Sequence, residues 1–204
     1  MRDLGGDMTG TRVPPTEVTG LYGGLVKMMS RKMLGRVPES LGVMWHNPAV
    51  LKDMMTFGRK VEKWDRLDPN LASLANMAAA ATVGCSFCLD LHYFMAHNDG
   101  LDEEKAREVP RWRESSLYTP LERRVMEFSE AMSQTPPAVT DELCDTLLVE
   151  LGAPALLELG ARVGYMNAAA RTNIALGIHS AEFSTACGLP PLAAPAPAGV
   201  ASQT

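Results

Sequence analysis

The stretch Cys85-Ser86-Phe87-Cys88-Leu89-Asp90-Leu91-His92 sets two thiols three residues apart and an imidazole four residues beyond the second. On a helix, neighbours three and four apart share a face, so Cys85, Cys88 and His92 form one stripe. That arrangement suits thiol redox chemistry. A thiolate is the nucleophile, a nearby imidazole lowers the thiol pKa, and a second thiol within reach captures the oxidised sulfur as a disulfide. Two other uses of the same residues compete. Cysteine often packs as a small hydrophobe, although CxxC spacing with a histidine on the same face is hard to attribute to packing. Zinc could take these three ligands with a fourth from Cys144, His46, His97 or His179, but no second CxxC or HxxxH supplies the paired half-site usual in structural sites. Cys144 and Cys187 lack a neighbouring base and read as packed or incidental thiols.

The stripe needs a helix that starts in the right place. Leu71 to Ala81 is rich in Ala, Leu and Met, and Asp68-Pro69 supplies an N-cap followed by proline at the first helical position. Thr82-Val83-Gly84 then weakens helix propensity, so a break is expected just before Cys85. A new helix starting there puts Cys85 near unpaired backbone N–H groups and the positive end of the macrodipole, which stabilise a thiolate. The macrodipole favours Cys85 as the more acidic thiol and the histidine at i+4 favours Cys88; the short-range partner should win. Leu91, Phe94 and Met95 continue the apolar stripe until Asn98-Asp99-Gly100 ends it.

Further helices are expected on both sides. Residues 1 to 14 read as an irregular arm. Thr16 to Leu34 carries Leu21, Leu25, Met28, Met29 and Met33 at near-helical spacing, with core the expected use. Pro48 to Trp64 is expected to bury Leu51, Met54, Met55, Phe57 and Val61 and to expose Lys52, Arg59, Lys60 and Lys63. A short capped helix follows Gly100. Thr119-Pro120-Leu121-Glu122 opens another, which Pro136-Pro137 stops. Thr140 to Gly152 is a third, and Ala153-Pro154 opens a long helix to about His179. The prolines at 190, 191, 195 and 197 mark a tail that cannot form a packed core by composition. The expected organisation is an arm and helix over 1–37, one all-α domain over 38–188, and a Pro/Ala-rich tail over 189–204.

Composition bounds the function. A chain of 204 residues fits one domain with a real core. With 19 Lys and Arg against 24 Asp and Glu, the net charge of −5 argues against a nucleic-acid partner. No apolar run approaches the roughly 20 residues needed to cross a bilayer, and the N-terminus lacks signal-peptide regions, so neither membrane nor export is expected and the cytoplasm is the default. Four cysteines, two of them in the motif, do not indicate a disulfide-stapled scaffold. No flavin or nicotinamide fold is encoded, and no cofactor is expected.

The run Cys85-x-x-Cys88-x-x-x-His92 after an Ala-rich helix ending in Val83-Gly84 resembles the core motif of the alkylhydroperoxidase D-like (AhpD-like) family, within the carboxymuconolactone decarboxylase-like superfamily. His46-Asn47-Pro48-Ala49-Val50-Leu51 resembles that family's entry to an earlier helix. Tyr165-Met166-Asn167, Arg171, Asn173 and Ala175-Leu176-Gly177 resemble its closing helix. The likeness spans roughly residues 38 to 180. It implies an AhpD-like helical domain with CxxC at the start of a core helix, assembled as a homo-oligomer, a trimer or hexamer.

Its functional implication is thiol-based oxidoreductase chemistry. Cys88 would be the attacking thiol, His92 the proton acceptor, and Cys85 the resolving thiol. The substrate would be a peroxide or a disulfide, and a dithiol would return the electrons. One departure stands out: relatives with peroxidase-type chemistry usually carry Glu twelve residues before the first Cys, and this chain has Ser73 there, which is no general base near neutral pH. Slow peroxidase turnover, a carboxylate from elsewhere, or a different reaction follows. Other functions in view are lactone or decarboxylation chemistry of the same superfamily, and a redox-sensing or zinc-binding oligomer. The resemblance also places Asn167, Arg171 and Asn173 near the pocket or a subunit contact; His46 is expected to cap or line, and Tyr93 to pack.

Overall fold

In the computed structural model, residues 10–195 are described, and the regular structure among them is helical. The first five helices are α1 (Gly20–Leu34), α2 (Glu39–Met44), α3 (Pro48–Val61), α4 (Pro69–Val83) and α5 (Ser86–Asn98). They are followed by α6 (Glu103–Glu108), α7 (Pro120–Ser133), α8 (Asp141–Leu151), α9 (Ala153–Leu176) and the short α10 (Phe183–Ala186).

The helix with the smallest side chains takes the centre. In α4, Asp68 accepts from the backbone N–H groups of Asn70 and Leu71 at 2.9 and 3.2 Å, and Pro69 begins the first turn. Its alanines let α5, α7 and α9 pack directly on it, and both of its long faces are buried. Leu71, Ala75 and Ala79 join Val125, Phe128, Leu159, Val163 and Met166 in one cluster, while Leu74, Met77 and Ala78 join Tyr93, Trp112, Tyr118 and Met126 in another. The expected start of α7 is realised as a capping box between Thr119 and Glu122. Tyr93 packs in the core as expected, and its hydroxyl donates to the carbonyl of Pro190 at 3.1 Å.

Several expectations need correction. The α1 stripe is not core: Leu21 is 97 % exposed and Met28 and Met33 are 60 % exposed. Gly23 and Val26 are its buried residues, because the helix seats against Trp45, whose ring occupies the space of the missing Gly23 Cβ and stacks on Tyr22 at 5.8 Å. Phe57, expected inside, is 48 % exposed and makes edge contacts to Trp64 and Tyr165. The long helix stops at Leu176 rather than His179, since Gly177 takes a left-handed conformation at φ +72°. The N–H of Arg12 then donates to the Leu176 carbonyl at 2.9 Å, so the arm closes that helix end. Of the arm and the tail, residues 1–9 and 196–204 lie outside the described residues.

The chain beyond α9 is fastened by Asp90. Its carboxylate accepts from Ser180 Oγ, Ser184 Oγ and the N–H groups of Phe183 and Ser184, at 2.6 to 3.0 Å. Burial alone would raise the Asp90 pKa; the hydrogen bonds from Ser184, Phe183 and Ser180 outweigh it, and the net shift is downward. Phe183 then packs against Phe87 and Phe94. No helix among the described residues is long and apolar enough to cross a membrane.

Candidate active site

Gly84 decides where the motif helix begins. It ends α4 at φ +82°, a conformation costly for any residue with a Cβ, and the chain turns so that Cys85 becomes the N-cap of α5. Cys85 Sγ accepts from the Cys88 N–H at 3.2 Å, in the manner of a capping oxygen. Cys85 and Cys88 are joined as a disulfide with Cα atoms 5.3 Å apart, and both are buried. The break expected at Thr82-Val83-Gly84 therefore falls at the glycine alone.

Cys88 and His92 line the same inner chamber of about 220 Å³, formed between α3, α4, α5 and α9, whereas Cys85, expected on the same stripe, does not line it. Its walls are mostly apolar, with Phe87, Leu91, Met95 and Met166 among them. Asn173 is brought to the site as the closing-helix resemblance implied: its Nδ2 donates to Cys88 Sγ at 3.4 Å. Tyr165 also lines the chamber. It fits because Gly58 has no side chain, and a Cβ there would collide with the Tyr165 hydroxyl. Burial pushes the His92 pKa down to about 4, so the ring is neutral at physiological pH and has a lone pair to accept a proton.

His92 also faces an outer chamber of about 570 Å³ that shares Glu62, Asn76, Met95 and Arg162 with the inner one. Ser73 lies on this wall, in the position where the resemblance implied a glutamate. A carboxylate reaches the same space from another element: Glu62, at the C-cap of α3, lines both chambers. Partial burial of its carboxyl and the neighbouring Asp99 raise its pKa, against lowering by Arg162 and Arg59.

Arg162 and Glu158 were not anticipated. Their side chains are 8 % and 5 % exposed and pair at 2.8 Å. Glu158 also accepts the Arg66 N–H at 2.7 Å, and Arg162 Nη2 donates to the Trp64 carbonyl at 2.9 Å. This network fixes the loop between α3 and α4 over the chambers. The sequence carried one signal for it: a Glu and an Arg at i and i+4 in the otherwise apolar first half of the helix.

Other candidates lie elsewhere. Arg171 and Asn167 bind the end of α7 through Ser133 and Thr135, away from the chambers. His46 Nε2 lies 2.8 Å from the Pro14 carbonyl and ties down the arm. His97 is 3.5 Å from Glu103 on the far end of α5. Cys144 is half-buried on α8 and Cys187 is exposed. Among the described residues, no three of His, Cys, Asp and Glu converge on a point that could hold a metal ion.

The fold and site define a class: an all-α protein in which a CxxC disulfide caps a core helix and borders an internal chamber with a neutral histidine. The model of the carboxymuconolactone decarboxylase family matches residues 48–131, which include the motif. The uncharacterized protein YnjA of Escherichia coli (strain K12) is 36 % identical over 124 residues, covering 61 % of this chain and 68 % of that one. The chain belongs to the carboxymuconolactone decarboxylase family, and to its AhpD-like members by fold. Among solved structures, an alkylhydroperoxidase AhpD core, an uncharacterized peroxidase-related protein from Ralstonia eutropha JMP134, matches with TM-score 0.71 at 14 % identity, covering 84 % of this chain and 94 % of that one. The debrominase Bmp8, solved with 2,3,4-tribromopyrrole, matches with TM-score 0.75 at 20 % identity, covering 90 % of this chain and all of that one. At such identities these structures speak to the fold alone.

Proposed function

We propose that the protein is a thiol-dependent oxidoreductase that reduces a peroxide or a disulfide, with Cys88 attacking, Cys85 resolving and His92 accepting the proton. The observation that carries this reading is the Cys85–Cys88 disulfide, whose Cys88 half shares a chamber with a histidine held neutral by burial. In the reduced protein, His92 takes the Cys88 proton. The thiolate attacks the outer peroxide oxygen, and the O–O bond breaks to release an alcohol or water that takes a proton back. The Cys88 sulfenic acid is then displaced by Cys85, losing water and forming the disulfide. A dithiol returns two electrons. Glu62 supplies the carboxylate that relatives carry at the Ser73 position, and its raised pKa suits it to exchange protons with His92. A reducing cytoplasm is the compartment that keeps such a pair cycling.

The test is peroxide consumption with dithiothreitol as reductant. Cys88→Ser abolishes turnover, while pre-reduced Cys85→Ser, freed of dithiothreitol before peroxide is added, undergoes one oxidation that stops at a sulfenic acid detectable by mass spectrometry. Undiminished turnover in Cys88→Ser defeats the assignment. A second reading, reductive removal of halogen from a small ring, is favoured by the size and apolar lining of the inner chamber and by likeness to the Bmp8 fold. Bromide release from 2,3,4-tribromopyrrole in place of peroxide consumption would establish it.

A further inference from the structure

The disulfide is bordered from a second direction. A groove of about 840 Å³ reaches it between the end of α4, the Trp112 turn, the end of α7 and the chain beyond Leu189. Cys85 lines this groove and Cys88 does not, whereas Cys88 lines the inner chamber and Cys85 does not. The two cavities share no lining residue. At roughly 100° per residue, Ser86 and Leu89 turn to the groove side of α5, and Leu91, His92 and Met95 turn to the chamber side.

In thiol–disulfide exchange, the attacked sulfur determines which sulfur leaves, and access selects the attacked one. Both cysteines are buried, Cys85 at 1 % and Cys88 at 4 % exposure, so the cavity that each one lines decides the approach: a thiolate arriving through the groove meets Cys85 and expels Cys88 toward Asn173 Nδ2 and His92. The inner chamber, about 220 Å³, is below the size of typical drug-sized pockets and too small for a polypeptide. The groove is larger and already carries extended peptide. Leu192 to Pro195 of this chain run along it without helical structure, and the Ala193 N–H donates to the Arg107 carbonyl at 3.0 Å. Trp112 forms part of the groove wall, with its indole N–H donating to Glu130 at 3.2 Å.

We propose that this groove is the docking site for an extended, cysteine-bearing segment of a dithiol reductant protein, which attacks Cys85 while the oxidising substrate enters only at Cys88. The inference rests on the redox reading above only in requiring a reducible disulfide. The first reductant thiolate bonds to Cys85 as the Cys85–Cys88 bond breaks, and Cys88 leaves with the electron pair as a thiolate. The second reductant thiolate attacks the first reductant sulfur, and Cys85 leaves as a thiolate that takes a proton. The reductant ends as a disulfide and the protein as a dithiol.

The experiment measures the two half-reactions separately on the full-length protein. Reduction is followed with a synthetic extended decapeptide carrying Cys-x-x-Cys, and oxidation of the pre-reduced protein with hydrogen peroxide. Thr82→Trp and Gln134→Trp, exposed positions at two lips of the groove, should each slow reduction by the peptide roughly tenfold by obstructing approach and leave oxidation unchanged. A single-cysteine version of the peptide, with the freed thiol alkylated by iodoacetamide as it forms, should be trapped as a mixed disulfide on Cys85. Trapping on Cys88, reduction unaffected by both tryptophans, or equal slowing of both half-reactions overturns the proposal. Reduction through Cys85 with no reaction toward peroxide refutes the peroxidase reading while supporting the groove. Agreement between the two variants, with unchanged circular dichroism, separates obstruction from misfolding.

Discussion

Titration of His92 tests the chemistry of the site without any substrate. Burial lowers its pKa from the ordinary 6.5 to about 4 in the disulfide form. At roughly 1.4 kcal/mol per pH unit, the folded protein favours the neutral ring by about 3 kcal/mol, and at pH 7 only about one ring in a thousand is protonated. The pKa is depressed in the folded state, so the unfolded chain binds the extra proton between pH 6.5 and 4. The ring's contribution to stability is therefore complete above 6.5 and lost as pH falls toward 4. Urea unfolding of the oxidised protein across that window should show a loss of about 3 kcal/mol that His92→Gln removes. Proton NMR should show one histidine titrating near 4, assigned by its absence from the variant. Reduction places a thiolate beside the ring and should raise this pKa, because opposite charge favours the imidazolium. A ring that titrates near 6.5 in the oxidised protein, or identically in both redox states, would falsify the picture of a buried base coupled to Cys88.

The other expectations concern residues around the site. Arg162→Met should cost about 3–5 kcal/mol in urea unfolding, since it leaves Glu158 buried without its cation, whereas Arg162→Met with Glu158→Leu should recover most of that loss. Ser73→Glu, which puts a carboxylate on the wall His92 faces, should raise the rate of peroxide reduction, and Glu62→Gln should lower it, each by tenfold or more on the scale typical of positioned acid–base groups, about 10²–10⁴. Equal rates in both variants would remove the carboxylate from the mechanism. Asp90→Asn should loosen residues 180–189, read as faster amide hydrogen exchange, at a cost of about 2 kcal/mol. In the unsubstituted protein the same loosening should appear only as pH falls below the ordinary aspartate value of 3.8, because the Asp90 pKa is depressed. The exposed face of Leu21, Leu25 and Met28 leads us to expect a homo-oligomer by light scattering, and Leu21→Glu with Met28→Glu should shift it toward monomer.

Local signals in the sequence were strong where they used backbone chemistry. Asp68-Pro69, Thr119 with Glu122, and Gly84 before Cys85 mark helix ends through capping groups and a left-handed glycine, and these depend on a few adjacent residues. Burial of individual apolar side chains was less legible. Leu21, Met28 and Phe57 have the right types and spacing for a core, but Leu21 and Met28 stand exposed and Phe57 is covered only in part, by Trp64 and Tyr165, because periodicity reports which residues share a face and not what lies opposite it.

The sequence alone determined the helical class and the placing of Cys88 one turn ahead of His92, with Cys85 at the helix start, since four-residue spacing fixes a shared face for Cys88 and His92 whatever surrounds it. Tertiary structure decided what those residues meet. Asn173 comes from 85 positions away to donate to Cys88. Glu62 arrives at the His92 chambers from the end of another helix, and the Glu158–Arg162 pair ties down the loop above. The opposite side of α5 opens to a groove at Cys85. The low pKa of His92 belongs to this second level as well, because it arises from exclusion of water by several helices at once, a property that no single segment carries.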